Sequence, residues 1–92
     1  MAVLDRIDEG LFVDFEIPFV VVVSHSTLYS VHYLTYVLTQ VLHITYQEAS
    51  LLTTQITQTG ESVVASGSFS ECEDWLERFL TAGIKASNGM AL

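Results

Sequence analysis

The chain has 92 residues, half of them hydrophobic and 15% charged, which is the make-up of one folded domain with one core and not of a disordered tail. Three basic residues against eleven acids give a formal net charge of −8, which excludes binding along a phosphate backbone and disfavours an anionic membrane surface. Any electrostatic steering favours a basic protein surface.

In chain order, residues 1–17 form an acidic N-terminal arm holding Asp5, Asp8, Glu9, Asp14 and Glu16. The arm is expected to be flexible, with LFVDFEI able to pair as an edge strand and Pro18 ending that ladder. Phe19 to Ser24 is a β-branched apolar run that predicts a central strand, either covered on both faces or lying under helices. Ser30 is the expected N-cap of the first helix. Leu34, Val37, Leu38, Val41 and Leu42 then repeat at the spacing of one helical stripe, with Tyr33 and Tyr36 beside it. The helix is expected to end near His43, whose place suggests a partner for the helix dipole.

Thr45 and Glu48 form a capping-box pair that opens a second helix running to about Gln58, with Ala49, Leu52 and Ile56 on its buried side. Gly60 is the expected C-terminal glycine. Glu61 to Gly67 reads as a strand. Ser70 and Glu73 repeat the capping-box signature, and Cys72, Trp75, Leu76, Phe79 and Leu80 form a third stripe that ends at Gly83. Ile84 to Ser87 reads as a last strand, with residues 88–92 as a tail. The elements predict an α+β fold of order β-α-α-β-α-β, a three-stranded antiparallel sheet covered on one face by three helices, with the domain at 18–87.

Cys72 is the lone cysteine. It allows no disulfide framework or cysteine zinc site, and it fits a reducing, cytoplasmic compartment. No basic start followed by an apolar run marks a signal peptide. The longest apolar run, IPFVVVV, is far short of the ~20 residues a membrane span needs.

Catalysis needs a nucleophile beside a base, a carboxylate pair or an open metal site. Residues 17–60 hold one charged side chain, Glu48, and no nucleophile or phosphate-loop pattern occurs, so no enzyme and no cofactor are expected. His25 and His32 could begin a metal site, but no carboxylate or cysteine lies near them in sequence to complete it. Cys72 is more simply a core thiol. Trp75 is either core or an interface anchor, core being favoured. The Thr, Ser, Tyr and Gln of the middle segment suit protein contact, or form an ordinary low-charge helical face.

The stretch from Val20 to Phe79 resembles the ClpS adaptor family. Tyr36, Val37 and Leu38 fall where that family has its first-helix core. Gln47, Glu48 and Ala49 open the second helix, and Gly60 falls at the turn before the strand. No gap is needed from Val21 to Val64. The same fold is similar to the C-terminal domain of the ribosomal stalk protein.

The resemblance implies a protein-binding role beside a Clp-type AAA+ protease. Members of the family hold a substrate's cationic N-terminus with a loop Asn and Asp and a His on the second helix, and they take its bulky apolar first side chain in a pocket. At the three amino-binding positions this chain has His25, Ser26 and Thr57, and Thr27 replaces the second loop Asp. Val31, Thr53 and Ile56 match the pocket lining, Thr53 in place of a methionine. Ser70 and Trp75 match the chaperone-facing Glu and Lys. The resemblance therefore implies a kept scaffold with an altered recognition site at His25, Ser26, Thr27, Val31, Thr53, Ile56 and Thr57, and a partner surface around Ser70 and Trp75. The alternative is a repurposed interaction module or homo-oligomeric structural subunit outside proteolysis.

Overall fold

A computed structural model of the chain describes residues 18–90. The expected N-terminal arm, its edge strand and the last two residues of the tail lie outside them. Six elements follow one another: β1 (Phe19–Ser24), α1 (Val31–Leu42), α2 (Tyr46–Thr59), β2 (Glu61–Gly67), α3 (Phe69–Thr81) and β3 (Ala86–Met90). The order is β-α-α-β-α-β, as the sequence implies.

The valine run makes β1 the middle strand of a β2-β1-β3 sheet, antiparallel on both sides. Val21 and Val23 are fully buried, whereas Val20 and Val22, which point to the other face, are half-buried. That alternation decides between the two packings left open by the sequence, because the helices cover one face only. Pairing with β2 slips by one residue between Val21 and Val22 and leaves Val64 unpaired as a bulge. Val64 packs against the core.

The expected stripes build that core. Leu34, Val37, Leu38 and Val41 of α1 meet Ala49 and Ile56 of α2, Cys72 and Phe79 of α3, and Ile84. Trp75 packs against it, half-buried. Leu80 does not join it, being 53% exposed, so the α3 stripe is narrower than expected.

The helix ends follow local chemistry. Ser30 Oγ accepts the Tyr33 N–H at 3.1 Å. Thr45 and Glu48 form the full reciprocal box, and Gly60 takes φ +93°, a conformation that costs other residues. His43 differs from expectation. It takes the left-handed conformation at φ 56° and its backbone N–H donates to Thr39 O, so it caps α1 through its backbone. The three-residue link to α2 must reverse the chain at once, and His43 is where it turns.

The capping box of α3 is Ser68 with Glu71, not Ser70 with Glu73. The sequence SFSECED carries the signature twice, two residues apart. The earlier pair wins because Gly67 leaves room for the returning carboxylate, since a Cβ there would stand 2.5 Å from Glu71 Oε1. The same start also lays Phe69 edge-on against Phe19, with ring centres 5.1 Å apart. Glu73 instead accepts from Asn88 Nδ2 at 3.4 Å.

The last strand begins later and runs further than expected. Ile84 is core, and its N–H donates to Phe79 O to close α3. Ala86 pairs with Val23 and Met90 with Phe19, so residues 88–90, expected as tail, are strand. The physical reason is that the buried backbone of β1 requires partners along its whole length on both sides.

Candidate functional site

The loop from β1 to α1 is tied down at both ends. The His25 N–H donates to Gly60 O at 2.8 Å, and Ser24 N–H donates to Lys85 O at 2.9 Å. The Tyr29 hydroxyl donates to Ser24 O at 2.6 Å and accepts the Lys85 N–H at 3.3 Å. Tyr33 Oη reaches Ala82 O at 2.6 Å and joins α1 to the end of α3. Between these anchors the tip residue Leu28 is 89% exposed.

Between α1 and α2 lies an open cleft of about 270 Å3 lined by Val31, His32, Thr35, Tyr46, Ser50, Thr53, Thr54 and Thr57. Ser50, Thr53, Thr54 and Thr57 recur at intervals of three and four residues, which sets their hydroxyls in one row along α2. A threonine inside a helix satisfies its hydroxyl on the carbonyl one turn back. Thr53 donates to Ala49 O at 3.0 Å and Thr54 to Ser50 O at 3.0 Å. Thr57 shares its proton between Thr53 O and Thr54 O at 3.1 and 2.9 Å. Across the floor, Thr35 and Thr53 Oγ1 stand 2.8 Å apart, and Thr35 is also 2.8 Å from Val31 O. No carboxylate lines this cleft.

The residues expected from the sequence divide. Val31, Thr53 and Thr57 meet in the cleft. Ile56 does not line it, because it is fully buried in the core. His25, Ser26 and Thr27 stand in the loop and are not among the lining residues. Ser26 Oγ is engaged in its own turn, accepting the Leu28 N–H at 3.1 Å. Thr35, Tyr46, Ser50 and Thr54 were missed, and His32, considered only for a metal site, lines the cleft too, although the three-four spacing of hydroxyls on α2 is visible in TYQEASLLTTQITQT.

Ser70 and Trp75 are not brought together. Ser70 lines an open groove of about 660 Å3 along α3 with Glu73, Asp74, Leu76, Glu77, Leu80 and Thr81, while Trp75 packs inward against the core. Four of the six described carboxylates, Glu71, Glu73, Asp74 and Glu77, stand on this helix. The Asp74–Arg78 pair at 3.0 Å is exposed on both sides and adds little stability.

Among the described residues no three His, Cys, Asp or Glu side chains come together to hold a metal ion. No described helix is long and apolar enough to cross a membrane. Burial, with the neighbouring Glu71 charge adding to it, pushes the Cys72 thiol above its ordinary value of 9.0.

Residues 18–90 match the model of a family described as the ATP-dependent Clp protease adaptor protein ClpS. The chain belongs to the ClpS family. The matched range ends with β3, three residues beyond the expected domain boundary. Among solved structures, the chain is similar to Agrobacterium tumefaciens ClpS2 bound to L-phenylalaninamide, with a TM-score of 0.74 and 15% identity over 82% of this chain and 98% of that one. At that identity the likeness speaks for the ClpS fold alone. A search of curated proteins gave no match. ClpS adaptors are non-catalytic and work through protein partners.

Proposed function

We propose that this chain is a non-enzymatic ClpS-like adaptor of the cytoplasm that docks on a Clp-type AAA+ chaperone and does not take substrates through a cationic N-terminus. The observation that carries this reading is the α1–α2 cleft, lined mostly by hydroxyl-bearing side chains and by no carboxylate. An ammonium held there gains no ion pair to offset its lost hydration. Of the amino-binding positions, Ser26 accepts the Leu28 N–H and Thr57 donates into α2, and neither brings a negative charge to an ammonium. Beside the cleft, Tyr46 and Leu51 are 62% and 68% exposed and line an adjoining hollow, uncharged apolar surface of the kind protein interfaces use. Family membership supports the adaptor role.

The test is capture of the tagged protein from its own host lysate, with mass spectrometry of what co-elutes, followed by binding of the purified chaperone. A Clp-type chaperone dominating the eluate and binding in purified form is the expected result. A different complex, with no Clp component, overturns the adaptor reading. In the same preparation, free-amine peptides beginning with Phe, Leu, Trp or Tyr are expected to show no saturable binding.

A further inference from the structure

We infer that the α1–α2 cleft is a binding site for a small uncharged side chain that donates hydrogen bonds, best matched by the primary amide of Asn or Gln. The inference rests on the altered-site reading above and adds the chemistry of what the site accepts.

The argument starts from where the hydroxyl protons go. Thr54 and Thr57 turn theirs onto carbonyls of α2. Thr35 and Thr53 have two protons for three contacts: the carbonyls of Val31 and Ala49, and each other. A hydroxyl whose proton is committed inward presents only lone pairs outward. The floor and one wall of the cleft are therefore acceptors held in fixed positions by the helices that carry them. Ser50, Tyr46 and His32 also line the cleft, make no side-chain hydrogen bond among those described and can donate. A primary amide offers two N–H donors to the threonine row and a carbonyl to these donors, so it can satisfy both.

Charge and size narrow the choice. A cation would find no carboxylate in the lining, and an anion that reached the donors Ser50, Tyr46 and His32 would face the outward lone pairs of the threonines across the same cleft. A bulky apolar group would strip water from those acceptors without replacing its hydrogen bonds, leaving buried polar groups unpaired. The cleft, at about 270 Å3, falls just below the ~300–1,000 Å3 of pockets for drug-sized ligands, a size for one side chain rather than a cofactor. A shallow hollow beside it, formed by Tyr46, Gln47, Ser50 and Leu51, gives the flanking peptide an apolar seat.

The experiment uses the full chain and fluorescein-labelled octapeptides of one Gly/Ala-rich host sequence, with a single position set to Asn, Gln, Leu, Phe or Lys. Each peptide is made with a free and with an acetylated N-terminus. Anisotropy gives affinity, and methyl NMR of the threonines locates binding. Asn and Gln peptides are expected to bind at least about tenfold tighter than Leu, Phe or Lys peptides, with and without acetylation, and to shift the methyls of Thr53, Thr54 and Thr57. Thr57→Val and Thr54→Val, both at exposed positions where folding is not at risk, should each weaken Asn binding up to about tenfold, one hydrogen bond's worth.

Tightest binding by Leu or Phe peptides overturns the inference, as does a panel in which no peptide moves the cleft methyls. The purified Clp-type chaperone, titrated in parallel, separates the two readings. Chaperone binding with a silent cleft defeats this inference and leaves the adaptor reading. Amide-selective binding without chaperone binding supports this inference and defeats the adaptor reading.

Discussion

Thr35 of α1 and Thr53 of α2 meet hydroxyl to hydroxyl at 2.8 Å, each only 4% exposed, and form the polar joint between the two helices. Their two protons serve three contacts, so the joint works as a unit. Removing one hydroxyl with Thr53→Val or Thr35→Val should cost about 1 kcal/mol, because the remaining group loses its cross-helix partner. Replacing both with Val leaves neither polar group behind and should cost clearly less than the two singles together. Urea unfolding midpoints of the four proteins in this cycle measure the coupling; strict additivity would show that the two hydroxyls do not interact.

Phe79 is the largest fully buried side chain among the described residues, and its carbonyl accepts the N–H groups of both Ala82 and Ile84. Phe79→Ala should destabilise by about 3–5 kcal/mol. A domain this small has little stability to spare. We expect a shift of the unfolding midpoint large enough to leave an unfolded fraction at 37 °C, read by circular dichroism.

Two turn residues should respond with opposite signs. Gly60 sits at φ +93° with open space around its Cα, so Gly60→Ala meets strain rather than a clash and should cost about 1 kcal/mol. His43 holds the left-handed conformation at φ 56° with a side chain attached, so His43→Gly should raise stability by about 0.5 kcal/mol. Thermal melts of the two variants side by side check the pair.

Cys72 is fully buried and its thiol is pushed above 9.0. Its reaction with a thiol reagent at neutral pH should be slow in the native protein and fast in urea. The sign with pH follows from the raised value. The folded state keeps the proton that the unfolded chain releases, so this contribution is full below the ordinary thiol value of 9.0 and is lost as pH rises through the higher folded value. Urea midpoints should therefore fall between pH 8 and pH 10, and Cys72→Ala, though less stable at pH 7, should show a shallower fall.

Most of the fold was legible because it is written in short-range patterns. The valine run of β1, the three-four stripe of Leu34 to Val41 and the caps at Ser30, Thr45 and Gly60 each depend on residues within one or two turns. The chain lost that clarity where two local solutions compete. Ser68–Glu71 and Ser70–Glu73 satisfy the same capping rule, and only the space over Gly67 and the seat of Phe69 on Phe19 separate them. Asn88 and Gly89 look like tail by composition, yet they are strand because Val21 and Val20 need partners.

The sequence by itself determined the element order, the apolar faces and the scarcity of charge between β1 and β2, since propensity, periodicity and composition are local. Tertiary structure alone decided that Val31 shares a cleft with Thr53 and Thr57, that His25 to Thr27 do not line it, and that Thr35 faces Thr53. Which hydroxyls share a cleft depends on the spacing and rotation of one helix against another. Those quantities are set by the packing of Leu34, Leu38, Ala49 and Ile56 in the core, not by the period of either helix.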